Sequence, residues 1–214
     1  ASIKGTPVSL IDGVRRQGGV FSSAVEFAVS ADGTLAYLEA KNVPSRQRTL
    51  VWVDRQGGEE SLPAEPRGYV YPRISPDGSR LALDIDDDNR DIWVWDFSRP
   101  QLRRVTSDPA LDVEPLWSHD GQRLIFLSLR TGIGNVFWQS ADGTGQAEPL
   151  TTGSRIRGAD AMTSDGKGLV LREFDGEGAS DLTLLQMDDG ARPVSLGTKA
   201  LVRSAFEESN AEIS

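Results

Sequence analysis

No cysteine occurs among these 214 residues, which removes disulfides, thiolate catalysis and cysteine metal sites and leaves the redox compartment open. Histidine is almost as scarce. His119 is the only one, and it sits in a Ser-x-Asp-Gly stretch that reads as a solvated turn rather than the oriented base of a triad. Basic residues are outnumbered 23 to 32, for a formal charge of −9, whereas a phosphate backbone favours a basic face; nucleic acid is therefore not an expected partner. No run approaches the roughly 18 apolar residues of a membrane span. The opening "ASIKGTPVSL" lacks the charged-then-apolar pattern of a signal peptide, so no direct membrane insertion is expected of this segment. G-x-S-x-G, H-R-D, D-F-G, the Walker P-loop and G-x-G-x-x-G are all missing, and no cofactor is expected.

What is present is a repeat. "FAVSADGTLAYLEA" from Phe27, "PRISPDGSRLALDI" from Pro72, "PLWSHDGQRLIFLS" from Pro115 and "DAMTSDGKGLVLRE" from Asp160 superpose on their Asp-Gly pairs. Those pairs are Asp32-Gly33, Asp77-Gly78, Asp120-Gly121 and Asp165-Gly166, and the glycines are spaced by 45, 43 and 45 residues. In each copy an apolar stretch enters a turn whose glycine supplies φ > 0 and whose aspartate can bond its own chain. A second strand follows, then a third ("TLVWVD", "DIWVWDF", "NVFWQS", "DLTLLQM") and a more polar fourth ("ESLP", "LRRVT", "EPLTT", "RPVSL"). Four antiparallel strands at this period predict an all-β fold built of β-propeller blades.

The expected blades span about 22–62, 68–106, 112–151 and 158–196 of one domain, 1–214. "TPVSLI" reads as an orphan outer strand (6–11) and "NAEIS" as an orphan inner strand (210–214), so an incomplete ring is expected. Exposed blade flanks in such a ring would favour association, possible as a homodimer, through burial of apolar area. The tryptophans at 52, 93, 95, 117 and 138 fall on first or third strands, where both faces are expected to be buried between neighbouring blades.

"SPDGSRLAL" and "HDGQRLIFLS", followed by "DIWVWD" and "LRRVT", resemble the repeat of TolB-type proteins. "LVWVDRQGGEESLP", "DIWVWDF", "NVFWQSADGTG" and "NAEIS" look more particularly like the propeller attached to bacterial membrane-anchored serine/threonine kinases. The resemblance implies a sensing or interaction module, extracytoplasmic, without kinase chemistry of its own. Ala31 and His119 stand where that repeat usually has proline.

A propeller of this kind is expected to bind a protein, peptide or small ligand through loops that join one blade's outer strand to the next inner strand. These are "AEPRGY" (64–69), "SDPALDVE" (107–114), "TGSRIRGAD" (152–160) and "GTKALVRSAFEESN" (197–210). Arg67, Tyr69, Asp112, Arg155, Arg157 and Phe206 are the candidate contacts, because arginines and aromatics dominate binding hot spots. A propeller lyase or hydrolase is the competing reading, with Asp112, Glu114, Asp160 and Glu207 as channel carboxylates, although no histidine accompanies them. "DIDDDNRD" fails as an EF-hand, since Asn89 replaces the required glycine and Trp95 the last glutamate. Its Asp84, Asp86 and Asp88 are left as the candidate ligands of a hard cation, against the plainer reading of a solvated hairpin.

Overall fold

A computed structural model describes the strands within 16–37 and residues 47–53, 56–87, 89–174, 180–188 and 193–202. The chain divides into two compact units, 1–45 and 46–214. In the first, β1 (Arg16–Gly18) pairs antiparallel with β2 (Ser23–Val25), and β3 (Phe27–Val29) pairs antiparallel with β4 (Leu35–Tyr37). The hairpin of β3 and β4 brackets Asp32 and Gly33, which themselves lie outside the described residues.

The second unit opens with an antiparallel pair, β5 (Val51–Val53) and β6 (Glu59–Ser61). Three four-stranded antiparallel sheets follow. The first holds β7 (Tyr69–Ile74), β8 (Arg80–Asp86), β9 (Arg90–Asp96) and β10 (Gln101–Arg104). The next contains β11 (Asp112–Trp117), β12 (Arg123–Ser128), β13 (Asn135–Ser140) and β14 (Glu148–Pro149). The last is β15 (Arg157–Met162), β16 (Gly168–Phe174), β17 (Ser180–Met187) and β18 (Pro193–Val202). No helix occurs among the described residues, so none is long and apolar enough to cross a membrane. Each sheet is a meander of neighbouring strands, and the three coincide with the second, third and fourth sequence repeats.

β18 departs from expectation. Residues 197–202 belong to the strand rather than to a loop, because shifted registers against β17 (Met187↔Pro193, then Leu185↔Thr198) let pairing continue to Val202. The proposed end strands 6–11 and 210–214 lie outside the described residues, as does the flank association argued from them.

Alternation along each second strand feeds two cores. Leu81, Leu83 and Ile85 of β8 join Tyr69 and Trp95, packed against Leu50, Leu62 and Ala64. Ala82, on the opposite face, joins Ile92, Val94 and Val105 against Trp117, Leu124, Phe126 and Phe137 of the following sheet. Ile125, Val136, Trp138 and Leu150 meet Ala159, Leu169, Leu171 and Leu185 of the last sheet. Period-two strands that are apolar on both faces thus let the middle sheet pack as a slab between its two neighbours. Trp95, Trp117 and Trp138 are buried, whereas Trp52 is 42 % exposed on β5.

The Ser/Thr-x-Asp-Gly turns close these hairpins in one way. Ser75 Oγ donates to Asp77 Oδ1 at 2.6 Å, Ser79 N donates to the same oxygen at 3.0 Å, and Arg80 N donates to Ser75 Oγ at 2.9 Å. Ser118 with Asp120, and Thr163 with Asp165, repeat the pattern. Gly78, Gly121 and Gly166 have φ of 71°, 66° and 71°. Consecutive turns also touch. A Cβ on Gly121 would lie 3.6 Å from Pro76 Cδ, and one on Gly166 would lie 3.0 Å from His119 Cβ. The residue between Ser and Asp therefore packs on the next repeat's glycine, a role His119 fills in place of proline.

Candidate functional site

The inner strands are not regular. Between Val70↔Asp84 and Arg73↔Ala82, β7 carries Tyr71 and Pro72 as an irregularity; Glu114 and Pro115 do the same in β11, and β15 shifts register at Asp160. Proline cannot donate to a ladder, so a bulge is where a strand accommodates it, and the residue before it is excluded from the right-handed helical region. Tyr71 and Glu114 take φ of 50° and 57°, a left-handed conformation that costs a non-glycine residue about 1 kcal/mol. Strained bulges of this kind re-aim side chains and concentrate at functional surfaces.

Here they gather a polar cluster across three sheets. Arg172 Nη2 of β16 donates to Glu114 Oε2 at 2.8 Å, and Arg172 Nη1 lies 3.4 Å from Asp160 Oδ1. Glu114 N donates to Asp84 Oδ1 at 3.4 Å, while the other oxygen of Asp84 accepts from Arg90 Nε. The Arg90 guanidinium stands 5.9 Å from the centre of the Tyr71 ring. Burial raises Asp84 to about 6 against the pull of Arg90. Burial likewise raises the Tyr71 phenol, and Glu114 adds to the effect. Arg90 Nη2 and Arg172 Nε are buried without a hydrogen-bond partner among the described residues. Gly158 leaves room for the central pair: a Cβ there would sit 3.1 Å from Arg172 Nη2 and 3.4 Å from Glu114 Oε2.

The described residues singled out in the sequence differ in exposure and partners. Arg67 pairs with Asp87 and stacks 4.6 Å over Trp93. Tyr69 is a correction: it is 4 % exposed, its hydroxyl donates to the Glu65 carbonyl at 2.6 Å, and it belongs to the core. Asp112 is corrected likewise. It is buried on β11 and accepts both 3.0 Å and 2.9 Å bonds from Arg130 Nη2. Both residues begin strands, where the alternation turns them inward, rather than ending loops. Arg155 and Arg157 share Glu173, at 2.8 and 2.6 Å. Burial pushes Glu173 up, but Arg157 and Arg155 outweigh it and hold the carboxylate below its usual range. Phe206, Glu207 and Asp88 lie outside the described residues. Asp84 faces Arg90 rather than a cation cluster with Asp86, and no metal-holding group of three His, Cys, Asp or Glu forms among the described residues.

Tyr71, Arg90 and Arg172 were not singled out. The "YP" and "EP" pairs, with the proline three residues before the turn serine, carry the signal of a bulge.

Sheets stacked face to face at this period, with bulged inner strands, define a β-propeller segment. The sequence profile of the TolB beta propeller domain matches residues 13–203, and the chain belongs to that family. A Tol-Pal system protein TolB of Helicobacter hepaticus is 27 % identical over 152 residues, covering 69 % of this chain and 34 % of that protein. TolB from Acinetobacter baumannii superposes with a TM-score of 0.63 at 21 % identity, over 88 % of this chain and 47 % of that one. A puromycin-hydrolyzing peptidase of Mycobacterium tuberculosis superposes at 0.57 with 20 % identity, over 91 % of this chain and 32 % of the peptidase. The chain thus spans about a third to a half of the length of these relatives. At such identities the structural likenesses show the fold alone.

Proposed function

We propose that this chain is a non-catalytic propeller segment that binds a protein or peptide partner at the bulged inner strands, as part of an extracytoplasmic assembly like the Tol-Pal system of its named relatives. The observation that carries this reading is the cluster of Tyr71, Asp84, Arg90, Glu114 and Arg172. Two partly buried, left-handed residues, Tyr71 and Glu114, are held there by the buried Asp84 and Arg90 and by Arg172, and theirs are the edges a partner would meet. Its carboxylates are tied to arginines. Glu114 and Asp160 meet Arg172, Asp84 meets Arg90, and Asp112 is held by Arg130. Glu114 and Asp160, both held on Arg172, support recognition better than acid–base work, and Asp84, although raised to about 6, is fully buried. Attachment to a membrane-anchored kinase is the finer reading suggested by "DIWVWDF" and "NVFWQSADGTG".

Titration of the full chain with the Pal protein of the same organism tests the reading. Glu114→Ala and Tyr71→Ala are expected to weaken binding roughly tenfold or more, the size of an interface hot spot. Unchanged affinity in both variants would reject this surface. Hydrolysis of a chromogenic peptide or ester by the purified chain would favour the enzyme reading instead.

A further inference from the structure

A second feature lies at the other end of the same inner strands, against the Asp-Gly turns. Arg73, Ile74, Pro76, Leu116, His119 and Met162 border a groove of about 240 Å³ that crosses three consecutive sheets. That is less than the ~300–1,000 Å³ of enclosed small-molecule pockets, and room for about one large side chain. Its apolar wall is unusually open: Ile74 is 51 % exposed, and Leu116 and Met162 are half-buried. Methionine adapts readily to the shape of a partner group.

The charges at the groove run against those of the chain. Among the described residues no aspartate or glutamate borders it, although the chain carries a net −9. The Arg73 guanidinium is exposed and has no hydrogen bond or ion pair among the described residues, and the same is true of the His119 imidazole. Nearby turn carboxylates are folded into their own turns. Asp77 takes up Ser75 and Ser79, Asp120 takes up Ser118, and Asp165 takes up Thr163. A smaller depression that also touches His119 and Met162 is bordered by Asp120, Asp165 and Asp188 together with Lys167, so the cation of the apolar groove itself is Arg73.

We propose that this groove is a second docking site, for a partner peptide segment that seats one large apolar side chain on Ile74, Leu116 and Met162 and sets an adjacent carboxylate on Arg73. The proposal rests on the protein-binding reading above and adds the partner's chemistry at a separate place. The charge match supplies orientation and association rate, and the apolar wall supplies most of the contact area.

The test uses the full 214-residue chain and a short capped peptide with one tryptophan flanked by glutamates, followed by amide chemical shifts. Shifts are expected at Ile74, Leu116, His119 and Met162, with a roughly tenfold loss of affinity in Arg73→Glu or when the glutamates become lysines. The lysine peptide should regain affinity on Arg73→Glu. Both positions are exposed, so Arg73→Glu and Ile74→Asp leave the core intact, and Ile74→Asp should abolish the shifts. Equal affinity of the two peptides, or no shifts at the groove, overturns the proposal. Shifts confined to Tyr71, Glu114 and Arg172 also overturn it, while leaving the interaction reading in place.

Discussion

Glu114 and Arg172 are 58 positions apart in the chain, on different sheets, and meet at 2.8 Å with side chains only 12 % exposed each. The pair is supported by Asp160 at 3.4 Å from the same guanidinium and by the bulge that turns Glu114 inward. Glu114→Ala would leave Arg172 half-compensated in a poorly hydrated setting. The expected destabilisation is about 2–3 kcal/mol, at the lower edge of what a broken buried pair costs because Asp160 remains. Urea unfolding should show a lower midpoint with an unchanged slope; a shift within error would mean that water, rather than Glu114, satisfies the arginine.

Two glycines separate a steric need from a conformational one. A Cβ on Gly68 would stand 2.7 Å from the Asp86 carbonyl oxygen, a backbone atom that cannot swing away, whereas a Cβ on Gly78 would meet nothing within 4 Å. Gly78→Ala should cost only its left-handed backbone, about 1 kcal/mol. Gly68→Ala should cost about 2 kcal/mol or more through overpacking. Thermal melts of the two variants check the order, and the reverse order would contradict the sheet geometry.

Asp84 titrates in the opposite sense to the turn aspartates. Its folded pKa of about 6 exceeds the ordinary 3.8, chiefly because burial disfavours the charge. Between those values the folded chain holds a proton that the unfolded chain has released, so this group's contribution to stability falls as pH rises from about 4 to about 6. Asp142 is held down at about 2 by bonds from Thr144 and Ser140, so its contribution is complete above about 4 and is lost as pH falls towards 2. The stability difference between wild type and Asp84→Asn should therefore shrink as pH climbs from 4 to 6, and the difference for Asp142→Asn should shrink as pH drops below 4. Denaturant midpoints measured across that range decide the matter.

The repeated turn offers a paired experiment. The Ser75 hydroxyl bridges Asp77 and the Arg80 amide, and Thr163 bridges Asp165 and the Gly168 amide in the same way. Ser75→Ala and Thr163→Ala should each cost about 1 kcal/mol, the net value of a typical lost hydrogen bond. Because the turns lie in different repeats, their effects should add in the double variant. A strong departure from additivity would show that the turns act as one unit.

Much of this is legible in the sequence, for a physical reason. Gly78, Gly121 and Gly166 could be assigned their left-handed backbone because Ser/Thr-x-Asp-Gly is a local code whose partners lie within five residues. The sheet faces followed from alternation, as Leu81, Leu83 and Ile85 against Ala82 show. The cluster was less readable. Glu114 and Asp160 were named as carboxylates, but their joining to Arg172 depends on how the bulges offset one sheet against the next. Tyr69 and Asp112 fall where the expected blades (68–106, 112–151) overlap the expected loops (64–69, 107–114); both open strands, and burial follows from that placement.

Two of the described cores belong to pairs of sheets rather than to one. The cluster around Phe126 and Trp117 is shared by the first and second sheets, and that around Ile125 and Leu171 by the second and third. Such a chain can lengthen or shorten only in whole steps: duplicating one repeat of about 45 residues adds one sheet and one complete shared core. Losing half a repeat would strand an apolar face on each side of the gap. Copy number is therefore the coordinate along which this architecture can vary by duplication of whole repeats.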